Sequence, residues 1–71
     1  MVNKELFDRK VEECGYKYTF LSRKLGITQF GLIKKRQGLI PFKVDEINIL
    51  SDLLRLNASE RDAIFNLKSS I

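Results

Sequence analysis

Few residues in this chain can do chemistry, and their types narrow that chemistry at once. There is no histidine and only one cysteine, Cys14, so a disulfide and the usual Cys/His zinc sites cannot be assembled. General acid–base catalysis lacks its commonest group, and no glycine-rich loop of the phosphate-cradling pattern occurs. The expectation is a protein that is not an enzyme, with no cofactor and no small-molecule substrate. What the chain does concentrate is positive charge. Its 71 residues carry a net charge of +4, but residues 1–43 hold ten Lys/Arg against four Asp/Glu, while residues 44–71 hold three against five. Between Cys14 and Val44 stand seven bases, Lys17, Arg23, Lys24, Lys34, Lys35, Arg36 and Lys43, and no acid. Such a lobe attracts a polyanion, because each phosphate neutralised releases condensed counterions.

The elements that must carry this lobe read as short helices. A composition of 44% hydrophobic and 31% charged residues suits a soluble globular chain, and the length suits one domain, residues 1–71. The N-terminus lacks the apolar core of a signal peptide and no apolar run could span a bilayer, so a cytoplasmic location is expected, with Cys14 as a small buried hydrophobe. In residues 3–14, Phe7, Val11 and Cys14 share one helical face, and Gly15 follows as a C-terminal cap. Residues 18–25 place Leu21 and Leu25 four apart and end at Gly26. Thr28 caps a third segment with Leu32 pointing inward, stopped by Gly38 and Pro41. From Lys43 to Leu54 the apolar positions Val44, Ile47, Leu50 and Leu54 keep the helical period behind Asp45 and Glu46. Ser59-Glu60-Arg61-Asp62 reads as a capping box for a fifth helix whose apolar face is Ile64, Leu67 and Ile71. The one stretch near period two, Leu39 to Phe42, contains proline and is too short to anchor a sheet. An all-α chain of five helices follows, with Leu21, Leu25, Ile27, Leu32, Ile47, Leu50 and Leu54 in one core.

The most informative stretch runs from Gly15 through Thr19-Phe20-Leu21-Ser22-Arg23-Lys24-Leu25-Gly26-Ile27-Thr28 into helix three. It meets the needs of a helix-turn-helix: Leu21 and Leu25 for the core, small Ser22 where two helices cross, Gly26 for the turn. Here the sequence resembles the lambda-repressor-like family of Cro and repressor DNA-binding domains. Ile47-x-x-Leu50-Ser51-x-x-Leu54-x-Leu56, followed by Asn57 and the Ser59 helix start, is similar to that family's fourth and fifth helices, so the likeness covers nearly the whole chain.

The resemblance implies a single compact five-helix, lambda-repressor-like domain whose second motif helix enters the major groove. By position, Thr28, Gln29, Phe30, Ile33, Lys34 and Gln37 would face DNA and Tyr18 or Thr19 would touch phosphate. Gln29 would pair with adenine and Phe30 meet a thymine methyl, while Lys34, Lys35, Arg36 and Lys43 would supply phosphate or guanine contacts. Three residues depart from the pattern. Lys17 stands where Ser or Thr usually caps the first motif helix, Lys35 where an apolar residue usually closes the core, and Gly31 lies inside the recognition helix. Phe30 and Ile33 are, moreover, large apolar groups at positions the fold should expose, as at protein-binding surfaces. Two functions are therefore expected as alternatives. One is a Cro-like regulator of a phage-type genetic switch, binding double-stranded operator DNA, as a homodimer, in the cytoplasm of a bacterial host. The other resembles the short modulator-of-repression proteins: an antirepressor that binds a partner repressor's DNA-binding domain through Phe30, Ile33, Lys34 and Phe42.

Overall fold

The computed structural model describes residues 2–67, which form five helices and, among the described residues, no strand: α1 (Lys4–Cys14), α2 (Tyr18–Leu25), α3 (Gln29–Arg36), α4 (Val44–Leu53) and α5 (Ala58–Phe65). Each boundary has a local cause. Asn3 caps α1 by accepting from the Leu6 N–H at 3.1 Å, and Gly15 ends it in the left-handed conformation with φ +74°. Gly26 does the same for α2 at φ +72°, a region that costs any residue bearing a Cβ. Thr28 then caps α3 through a 3.0 Å bond from Gly31 N–H to its hydroxyl oxygen. The turn between α2 and α3 is thus only Gly26-Ile27-Thr28, and the two helices pack on each other.

Lys17 offers α2 no side-chain cap, in line with its departure from the usual Ser or Thr. The fifth helix starts two residues earlier than the Ser59 reading places it. Asn57 is the cap, and Asn57 and Glu60 exchange bonds at 2.7 and 3.0 Å. An amide is a strong N-cap and Glu at the third helical position completes the reciprocal pair, so Asn57-x-x-Glu60 outcompetes Ser59-x-x-Asp62.

The core is Phe7, Val11, Leu21, Leu32, Ile47, Leu50, Leu54, Ile64 and Phe65. Leu25, Ile27 and Cys14 are half-buried against it. Val44 departs from expectation: it is 72% exposed, because at the first position of α4 it precedes the turn that Ile47 and Leu50 lay on the core. Leu67 is also exposed, and Ile71 lies outside the described residues. Phe65, absent from the apolar pattern read in the sequence, takes the inward place beside Ile64. Aromatic rings then cross the molecule, Tyr18 edge to face on Phe7 at 6.2 Å, Phe7 tilted against Phe42 at 6.3 Å, and Phe42 edge to face on Phe65 at 5.2 Å. This run joins α2, α1, the α3–α4 loop and α5. The radius of gyration, 11.2 Å, is the about 11 Å of a compact chain of this length. No helix among the described residues is long and apolar enough to cross a membrane.

Candidate functional site

The free face of α3 begins at its cap. Leu32 turns inward and is fully buried, which orients the opposite side of the helix to solvent. There Gln29 and Gln37 are exposed, Ile33 and Lys34 half-exposed, and Phe30 is 66% exposed. Lys34, one turn on from Phe30, holds its ammonium 4.6 Å from the centre of the ring, a cation–π pair that flattens both side chains along the helix. Thr28 lies at the head of this face with its hydroxyl oxygen already accepting from Gly31. Gly31 has a local use, since a Cβ there would stand 3.3 Å from that oxygen. Thr19 is exposed at the start of α2. Thr28, Gln29, Phe30, Ile33, Lys34 and Gln37 therefore share one surface.

Four residues expected at an interface are otherwise engaged. Lys35 is 7% exposed and its ammonium lies 2.5 Å from both carboxylate oxygens of Glu46, itself 5% exposed. It follows Leu32 by three residues and so shares the inward stripe; its stem crosses apolar surface and its charge meets α4 rather than DNA. Burial works to raise the Glu46 pKa, but the bonds from Lys35 and from the Lys43 backbone N–H, the latter at 2.9 Å, outweigh it and hold the group below its ordinary 4.5. Arg36 is likewise withdrawn. Its Nε donates to Asp8 Oδ1 at 2.8 Å and its Nη2 to Asp8 Oδ2, a bidentate pair from α3 to α1. Tyr18 donates its hydroxyl to the same Asp8 Oδ1 at 2.8 Å. Burial and that bond push the phenol up to about 12, while the Arg36 and Tyr18 bonds hold Asp8 below its ordinary 3.8 against the effect of burial. Phe42 is half-buried inside the aromatic run, packing on Phe7 and Phe65 rather than standing out as a contact.

Sequence reasoning missed Asp8 and Glu46. Glu46 stands four before core Leu50 and so could have been flagged as an ionisable group on a buried stripe, a partner for Lys35, whose place in an apolar slot the sequence does show. Nothing local to Asp8 or Arg36 announces a contact across 28 residues. Once these pairs are set aside, Lys17, Arg23, Lys24, Lys34 and Lys43 remain without an ion-pair partner among the described residues. Lys24 rests 5.5 Å from the centre of the Phe20 ring. No cluster of potential metal ligands occurs among the described residues. The arrangement is one for non-covalent recognition: an apolar and amide-bearing strip on α3, with uncompensated cations on α3, on α2 and at the start of α4. Comparison with protein-family models, with curated proteins and with solved structures gives no match.

Proposed function

We propose that the chain is a non-enzymatic transcriptional regulator of the helix-turn-helix kind that binds double-stranded operator DNA through α3, in the cytoplasm of a bacterial host. The observation that carries this reading is electrostatic. Asp8 and Glu46 are each consumed by an internal base, so Lys34 on the exposed face of α3, with Lys17, Arg23, Lys24 and Lys43 on the segments to either side in the chain, has no ion-pair partner among the described residues, and neither do they. In a helix-turn-helix docking, Gln29 and Phe30 near the helix start would read base edges and the cations would contact phosphate. Five phosphates neutralised give a log–log dependence of affinity on salt with a slope of about −4.5.

A second reading is favoured by Phe30. A phenylalanine two-thirds exposed beside half-exposed Ile33, with two of the four bases of residues 34–37 and Lys43 tied up internally, suits a protein partner at least as well as a thymine methyl. In that reading the chain is an antirepressor, and the partner is the DNA-binding domain of a repressor. One paired assay tests both: the protein against DNA from its own control region over a range of salt, and against the neighbouring repressor. A DNA complex with the steep salt slope supports operator binding; a repressor complex with no DNA complex supports the antirepressor; a DNA complex indifferent to salt removes the electrostatic argument.

A further inference from the structure

The constellation around Asp8 is built like a bound anion. The planar fork of Arg36 places two N–H donors on the two carboxylate oxygens, and the Tyr18 hydroxyl adds a third donor to one of them. Guanidinium forks take phosphate by the same two-oxygen geometry as carboxylate. The two partners are unequally covered: the Arg36 side chain is 22% exposed and that of Asp8 43%, so the carboxylate is the more solvent-exposed member of the pair. Asp8 comes from α1, whereas its donors sit at the first residue of α2 and the last of α3, the two helices a helix-turn-helix sets against DNA.

We propose that Arg36 and Tyr18 form an oxyanion site of the phosphate class, and that Asp8 fills it in the free protein and so withholds one backbone-phosphate contact. The site stands on its own geometry; its use on nucleic acid rests on the operator-binding reading. Asp8 is then a screening residue as well as a tie between three helices. A tie alone predicts that removing the carboxylate only loosens the fold. A filled site predicts in addition that its removal creates affinity for an anion.

The test uses Asp8→Asn and Asp8→Ser in the full chain, with far-UV circular dichroism to select whichever remains folded. Inorganic phosphate is titrated at neutral pH while the Arg36 Nε–H and Tyr18 ring resonances are followed by NMR. A saturable shift of both signals in the variant and none in the wild type over the same range is expected. The companion Asp8→Asn/Arg36→Gln protein should show none. Duplex DNA is then titrated at several salt concentrations. One added phosphate contact steepens the log–log slope by about 0.9, equivalent to about eightfold tighter binding at 0.1 M salt relative to 1 M. Folded variants that show no phosphate shift overturn the site. A phosphate shift with an unchanged DNA slope overturns the withheld contact. If the phosphate shift is present and neither protein binds DNA, the anion site stands and the operator reading falls. Should both single variants unfold, phosphate supplies the readout: native circular dichroism recovered in Asp8→Asn by phosphate, but not by chloride at equal ionic strength and not in Asp8→Asn/Arg36→Gln, supports the site, and no phosphate-specific recovery overturns it.

Discussion

Replacing Lys35 with methionine should come close to unfolding this domain, although it removes only a charge and keeps most of the side chain's volume. In the native fold the Lys35 ammonium touches both oxygens of Glu46, and both residues are more than nine-tenths buried. Removing one member of a buried pair leaves the other charge desolvated, at a cost of about 3–5 kcal/mol. Glu46 would keep the Lys43 N–H bond and its place in the first turn of α4, where the helix dipole favours a negative group. The lower end, about 3 kcal/mol, is therefore expected. A domain of this length commands only about 4–11 kcal/mol in all, and each kcal/mol moves the midpoint of thermal unfolding by about 4–8 °C. Lys35→Met should thus lower Tm by roughly 12–24 °C. The double variant Lys35→Met/Glu46→Leu removes both desolvated charges and should recover most of the loss, since a well-packed apolar pair can match a buried ion pair. Urea unfolding followed by circular dichroism, run on wild type, Lys35→Met, Glu46→Leu and the double variant, gives the coupling energy directly. A single variant within about 0.5 kcal/mol of wild type, the scatter of ordinary surface substitutions, would refute the burial argument, and so would a double variant no better than the single.

Other outcomes follow from the same packing. Leu50, fully buried, should lose about 2–5 kcal/mol on truncation to alanine, whereas Leu25, only half-buried, should lose clearly less in the same urea titration; equal losses would contradict their different burial. Phe30→Ala should leave stability within about 0.5 kcal/mol yet weaken binding to DNA modestly at one base position, or to a repressor by 2 kcal/mol or more, about thirtyfold. No change in either binding assay would remove the α3 face as the working surface. Acid should destabilise the fold: Asp8 and Glu46 have folded-state pKa values below their ordinary 3.8 and 4.5, so the unfolded chain binds protons first as pH falls. Their contribution is fully present above the unfolded values and is lost as pH drops through them and the lower folded ones. The urea midpoint should hold steady from neutrality to about pH 5 and fall below it, and a midpoint that rises on acidification would reverse the assignment.

The helices were legible because their signals are local. Gly15, Gly26 and Thr28 punctuate the chain within a turn of where α1, α2 and α3 end or begin, and the period of Ile47, Leu50 and Leu54 fixes the buried side of α4. The fifth start was misread because two overlapping capping boxes compete there, and the choice between an amide and a hydroxyl cap is a small energy difference. Val44 keeps the apolar period of α4 yet is exposed, because periodicity gives a face but not where along the helix that face stops being covered. At the candidate site, Lys35 was recognisable as a charge in an apolar slot, but reading it as a DNA contact ignored that a buried ammonium must find a carboxylate. Arg36 and Tyr18 could not have been withdrawn from the list by sequence alone, since their partner Asp8 sits on a helix that meets them only through the tertiary packing.

The bond from the Asn3 N–H to the Ile64 carbonyl, 2.7 Å long, bears on the order in which the molecule assembles. It seals α1 to α5 across 61 positions of chain, and closing a loop of that length costs about 3.6 kcal/mol of chain entropy on the simplest scaling. The α2–α3 pair, by contrast, meets across a three-residue turn. Nucleation should therefore lie in the middle of the chain, with the α1–α5 seam closing late. Spontaneous opening runs the same path backwards, and amide exchange at Asn3 should report the first, shallow excursions from the native state long before Leu50 N–H reports the last.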